Sequence, residues 1–215
     1  MRIVLLSVFL LFLSASVPSD FVLVNDYIPT VVLDLRYSTY RNFVGRPING
    51  YQNKKCYITL EAARALSGAQ NQLQKRSYCL KVFDAYRPQR AVDGFVDWAK
   101  RLDDTVMKKH YYPKLDKSQL FVEGYIASKS GHSRGSTVDV TIVDQYYNEL
   151  DMGTKWDYFG KKSWPNSNEV TPWQKANRLL LQCVMVQNGF RPLKEEWWHF
   201  TLIKEPYKST YFDFI

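Results

Sequence analysis

Apolar residues recur at Ala62, Leu66, Ala69 and Leu73, the spacing of one helical face, so the pattern predicts a helix from Thr59 to about Lys75 with Thr59 as N-cap. A second stripe, Val92, Phe95, Ala99 and Leu102, follows Pro88 and predicts a helix to about Leu102 with those four on its inner side. A third helix is expected from Thr171-Pro172, where a hydroxyl cap precedes a first-turn proline. Ala176, Leu179, Leu180 and Cys183 mark its apolar side, and Gly189 ends it. Between these helices lie strand signals: VVLDLR (31–36), CLKVFDAY (79–86), the β-branched run TVDVTIV (137–143) and WWHFTLI (197–203). Gly45, Pro47, Asn49 and Gly50 mark a turn-rich loop, and residues 103–129 read as long loops. The elements alternate unevenly, without a regular βαβ repeat, and no linker or internal repeat divides them. The expected class is therefore α+β, in one compact domain over residues 20–215.

The first residues, MRIVLLSVFLLFLSASVPSD, change where that domain starts. Arg2 precedes an apolar run from Ile3 to Leu13, and the small residues Ser14-Ala15-Ser16 follow. This is the pattern of a secretory signal over about residues 1–19, and the run is short for a transmembrane span, an uncleaved anchor being the alternative. The expectation is an exported protein, periplasmic or secreted, without a stable membrane anchor after cleavage. The formal charge of the whole chain is +8; losing Arg2 leaves 28 basic and 21 acidic residues, or +7. Lys and Arg are spread along the chain without a clustered patch, so nucleic acid is not an expected partner; the charge reads as a soluble basic surface, of a kind an anionic cell envelope could attract. Oligomeric state is not legible. Three cysteines are present; a Cys56–Cys79 disulfide across the first helix is a hypothesis, and Cys183 is expected in the core.

Chemistry enters through the histidines, of which there are three. His132 lies in a glycine-flanked turn, SGHSRGSTVDVTI, and Asp139 lies inside the strand that follows. A carboxylate in mid-strand is costly to bury unless it is paired or holds a cation. Imidazole and carboxylate are both zinc ligands. The alternative is an Asp139 that accepts hydrogen bonds from Ser133, Arg134 or Ser136. His199, in EEWWHF, could complete a three-ligand set with Glu196 as general base. Residues three apart in a strand face opposite ways, so Glu196 would have to sit in a bend before it; the alternative is a solvated Glu beside a tucked His. Arg87, in DAYRPQR, falls between a strand and a helix, where it could stabilise an oxyanion or simply pair with Asp84 or Asp93. HExxH, GxSxG, Walker and GxGxxG strings are absent.

Taken together, SGHSRGSTVD, EWWH, DAYRP, NFVGRPINGY and DMGTKWD resemble, in order and spacing, the D-alanyl-D-alanine dipeptidases of zinc peptidase family M15, from about residue 22 to the C-terminus. The resemblance implies an α+β fold with a central antiparallel sheet flanked by helices. It implies one zinc per chain held by His132, Asp139 and His199, with Glu196 as catalytic base and Arg87 as transition-state stabiliser. Asp157 would meet the ammonium group of a small dipeptide, and Tyr37 and Ser130 would line its pocket. The implied reaction is zinc-dependent hydrolysis of D-alanyl-D-alanine. Two alternatives share the fold and the zinc: a D,D-carboxypeptidase or peptidoglycan hydrolase acting on longer peptides, and a non-catalytic binding module. An amine-binding acid such as Asp157 separates the dipeptidase from the former, and the base Glu196 separates an enzyme from the latter.

Overall fold

A computed structural model describes residues 16–215; residues 1–15 of the expected leader lie outside the described part. The strands are β1 (Phe21–Leu23), β2 (Val32–Leu33), β3 (Tyr57–Thr59), β4 (Cys79–Asp84), β5 (Thr137–Val143), β6 (Phe190–Pro192) and β7 (His199–Leu202). The helices are α1 (Val24–Tyr27), α2 (Leu60–Gln74), α3 (Gln89–Lys100), α4 (Lys108–Tyr111) and α5 (Pro172–Gln187). Five strands form one sheet in the order β2-β4-β5-β7-β6, and β1 pairs with β3 in a small second sheet. The α+β expectation holds, but the sheet is mixed: β2 runs parallel to β4, and the other pairs are antiparallel. Val32 and Leu33 reach β4 by way of a crossover through α2, which imposes the parallel sense.

β5 is the central strand and is buried along its whole length, which explains its β-branched run. The predicted stripe of α2 is buried as expected, joined by Ala63 and Gln70. Leu66 and Leu73 are fully covered, each contributing about 1.5–3 kcal/mol of transfer free energy. Thr59 precedes α2, but its hydroxyl bonds Ser136 Oγ at 2.7 Å instead of capping the helix. α3 ends at Lys100, a little short of expectation, leaving Leu102 exposed. The buried Lys117 ammonium takes the carbonyls of Trp98, Arg101 and Asp104 there and so closes the helix end.

α5 starts at the expected cap, with Thr171 and Gln174 exchanging reciprocal hydrogen bonds. It is rotated from the predicted facing. Leu181, Val184 and Met185 point inward, whereas Leu179 and Cys183 are exposed. The inward face also carries Arg178, whose guanidinium donates to the carbonyls of Met152, Trp164 and Lys162. That anchor ties α5 to the 152–164 loop and sets the rotation. The proposed disulfide is absent: Cys56 and Cys79 are free thiols. The 15-residue α2 is about 22 Å long and holds the two cysteines at opposite ends.

Candidate active site

All eight residues singled out from the sequence, Tyr37, Arg87, Ser130, His132, Asp139, Asp157, Glu196 and His199, line one cavity of about 220 Å³. Its floor is the centre of the sheet. β5 presents Asp139, and the adjacent β7 presents His199 directly opposite it. His132 comes from the 3₁₀ turn Gly131–Arg134 that leads into β5. Ser130 caps that turn, its hydroxyl accepting from His132 N–H at 3.3 Å.

The three candidate ligands meet closely. His132 Nε2 is 3.3 Å from Asp139 Oδ1 and 3.3 Å from His199 Nδ1, and His199 Nδ1 is 3.2 Å from Asp139 Oδ1. Three donors on tetrahedral corners about 2.0–2.1 Å from a small divalent cation stand about 3.3–3.4 Å apart, so this triangle fits such an ion. Two further observations support the fit. Asp139 Oδ1 is buried without a hydrogen-bond partner. His132 Nδ1–H donates to the Ala85 carbonyl at 2.7 Å, which leaves the Nε2 lone pair free. The other Asp139 oxygen accepts from Trp156 Nε1–H at 3.2 Å.

The alternative partners proposed for Asp139 are engaged elsewhere or turned away. Arg134 pairs with Glu205, Ser136 bonds Thr59, and the Ser133 hydroxyl has no partner. Burial works to raise the Asp139 carboxyl, but His132 and His199 beside it hold it well below the usual carboxylate range. Glu196 lies in the bend before β7, as the facing argument required, with Oε2 3.5 Å from His199 Nδ1. Burial raises it from 4.5 to about 7, against the pull of His199.

The opposite wall is loop-borne. Asp157 sits at φ +60°, a left-handed conformation that aspartate tolerates better than most residues. It is 4% exposed, and its Oδ2 has no hydrogen-bond partner. Burial, with Asp139 and Glu196 nearby, pushes its carboxyl well above the usual range. Tyr37 is buried against Trp156, with ring centroids 4.8 Å apart, and the Arg87 guanidinium lies over the Tyr37 and Phe95 rings. Arg87 also makes the Asp84 pair that the sequence offered as its alternative, so cleft placement and pairing coexist. The third histidine, His110, lies apart in α4.

Sequence reasoning did not find Trp156, Tyr51 or the Ala85 carbonyl. Trp156 stands beside Asp157 in KWD, but nothing in its spacing reports that its N–H reaches a strand 17 residues earlier.

The profile of peptidase family M15, described as D-ala-D-ala dipeptidase, matches residues 18–215. A D-alanyl-D-alanine dipeptidase of Enterococcus faecalis is 37% identical over 197 residues, covering 91% of this chain and 98% of its own. One from Streptomyces coelicolor is 38% identical, covering 91% and 97%, and one from Enterococcus faecium is 36% identical, covering 90% and 96%.

Proposed function

The chain belongs to the D-alanyl-D-alanine dipeptidase family, and we propose that it hydrolyses D-alanyl-D-alanine to two D-alanines with one zinc held by His132, Asp139 and His199. The observation that carries this reading is the pairing, in one small cavity, of a three-donor cation site with a second buried carboxylate that has an unpartnered oxygen. When bound, zinc supplies a Lewis acid that acidifies water and polarises the scissile carbonyl.

The chain's own groups do the rest. Glu196 takes a proton from the attacking water at its carboxylate and returns it to the leaving amine. Burial raises its carboxyl above the ordinary value, which suits a group that must accept and donate a proton at neutral pH. Arg87 turns a guanidinium edge to the carbonyl oxygen as negative charge develops there. Asp157 takes the substrate ammonium at Oδ2, and Tyr37 and Ser130 shape the space between. An acid at that position closes the cavity to longer N-terminal extensions, which favours a dipeptidase over an enzyme for longer peptides.

The N-terminal signal pattern supports an exported enzyme. There it would act in turnover of cell-wall peptides or salvage of D-alanine. The test is D-alanine release from D-alanyl-D-alanine by the purified, zinc-loaded chain beside Glu196→Gln. Release that disappears in the variant is expected; cleavage of longer muropeptides alone would contradict the dipeptidase reading.

A further inference from the structure

β4 and β5 pair in regular antiparallel register from Cys79↔Val143 to Val82↔Val140, and then the register slips so that Asp84 faces Asp139. Without that slip Asp84 would oppose Val138 and share the core-facing side of Leu80 and Val82. The bulge turns a charged side chain out of the core and onto the sheet side of Asp139, behind the residues that line the cavity. Bulges are over-represented beside active sites, where they re-aim a side chain.

Asp84 is 1% exposed, and both its oxygens are engaged. Oδ1 accepts from the Tyr51 hydroxyl at 2.7 Å. Oδ2 accepts from Arg87 Nε at 3.0 Å and lies 2.9 Å from Arg87 Nη2. A guanidinium has five donors in a fixed fork, so this grip leaves donors free for the cavity. It also holds Arg87 back from the candidate ligand Asp139, whose Oδ2 is only 3.9 Å from Nη2. Freed from Asp84, Arg87 would have that carboxylate within easy reach.

We propose that Asp84, itself held by Tyr51, is a positioning residue that fixes the Arg87 guanidinium for the developing oxyanion and keeps it off the metal ligand Asp139. This rests on the dipeptidase reading for its kinetic consequence, though not for its geometry. Asp84 touches neither substrate nor metal; its Oδ2 also lies 3.6 Å from His132 Nδ1, but that N–H is given to the Ala85 carbonyl at 2.7 Å, so the hydrogen bonds of Asp84 go to Arg87 and Tyr51.

The experiment is a double-mutant cycle in the zinc-loaded full chain, with Asp84→Asn, Arg87→Ala and the double variant assayed on D-alanyl-D-alanine. Removing an oxyanion donor outright costs about 100- to 1,000-fold, so loosening it should lower kcat on the order of 10- to 100-fold, with KM and zinc content little changed. The double variant should be no slower than Arg87→Ala alone, because both changes remove one function. Losses that multiply, or an Asp84→Asn kcat close to that of the unaltered chain, would overturn the proposal. If Asp84→Asn does not fold, Tyr51→Phe takes its place in the cycle, with a smaller loss that must vanish in the Arg87→Ala background and whose persistence there overturns the proposal.

A chain that releases no D-alanine at all would refute the dipeptidase reading instead. Positioning is then read from the Arg87 Nε–H resonance, identified by its loss in Arg87→Ala. It should exchange slowly in the unaltered chain and lose that protection in Asp84→Asn; unchanged protection overturns the proposal.

Discussion

Asp139 and Asp157 are two buried aspartates in one cavity, and their surroundings divide them. Asp139 stands on the central strand among two histidines and a tryptophan N–H, and stays ionised despite burial. Asp157 stands on a loop at positive φ with one oxygen unpartnered, and burial drives it towards its neutral form. The first setting suits a resident cation, because its partners are fixed by sheet register. The second suits a cation that comes and goes, because an arriving ammonium would favour the charged form of the carboxylate. Residue type alone does not carry the distinction; rigidity and neighbouring charge do.

The largest effect is expected from Asp139→Ala. Losing the metal forfeits several kcal/mol of transition-state stabilisation, so activity should fall about 1,000-fold or more, with zinc lost on dialysis. Zinc retained at one per chain would remove Asp139 from the ligand set. Asp157→Asn should be milder and different in kind. A charge-assisted hydrogen bond of about 1.5–3 kcal/mol corresponds to a KM increase of roughly 10- to 100-fold, with zinc content unchanged. Steady-state kinetics beside metal analysis read both.

Trp156→Phe removes the N–H that steadies Asp139 Oδ2, and should weaken zinc binding about tenfold, as measured by competition with a chelator. The smallest expected effect concerns stability. Asp157 has its folded pKa raised above its unfolded value, so its contribution is fully present below the ordinary carboxylate value near 3.8 and is lost as pH rises towards the folded one. In the metal-free chain, Asp157→Asn should therefore raise Tm by a few degrees at pH 8 and by almost nothing at pH 4, by calorimetry in chelator. A gain that is independent of pH would mean Asp157 is not the strained group.

The wall that carries the candidate ligands was legible because its residues sit in short, ordered strings. TVDVTIV became β5 to the residue, and the strand-facing argument put Glu196 in a bend, where it lies. The rotation of α5 was not legible. Its sequence RLLLQCVMV is apolar on nearly every side, so periodicity could not select a face, and buried Arg178 made the choice. Leu102 was misplaced because its helix ends where Lys117, far along the chain, takes the last carbonyls. The β4 bulge and the parallel sense of β2 depend on strand pairing, which hydrophobic pattern does not report. The Asp157 wall became visible only through resemblance, since no local pattern in DMGTKWD declares a buried acid.

The division between the two aspartates is tested most directly by the preference for a free amine. We would measure kcat/KM for D-alanyl-D-alanine and for its N-acetylated form, in the unaltered chain and in Asp157→Asn, both loaded with zinc. A strong preference for the free amine that largely collapses in the variant is the expected result. A preference equally strong in both would contradict the assignment of Asp157 to the ammonium group, and with it the distinction between the two walls.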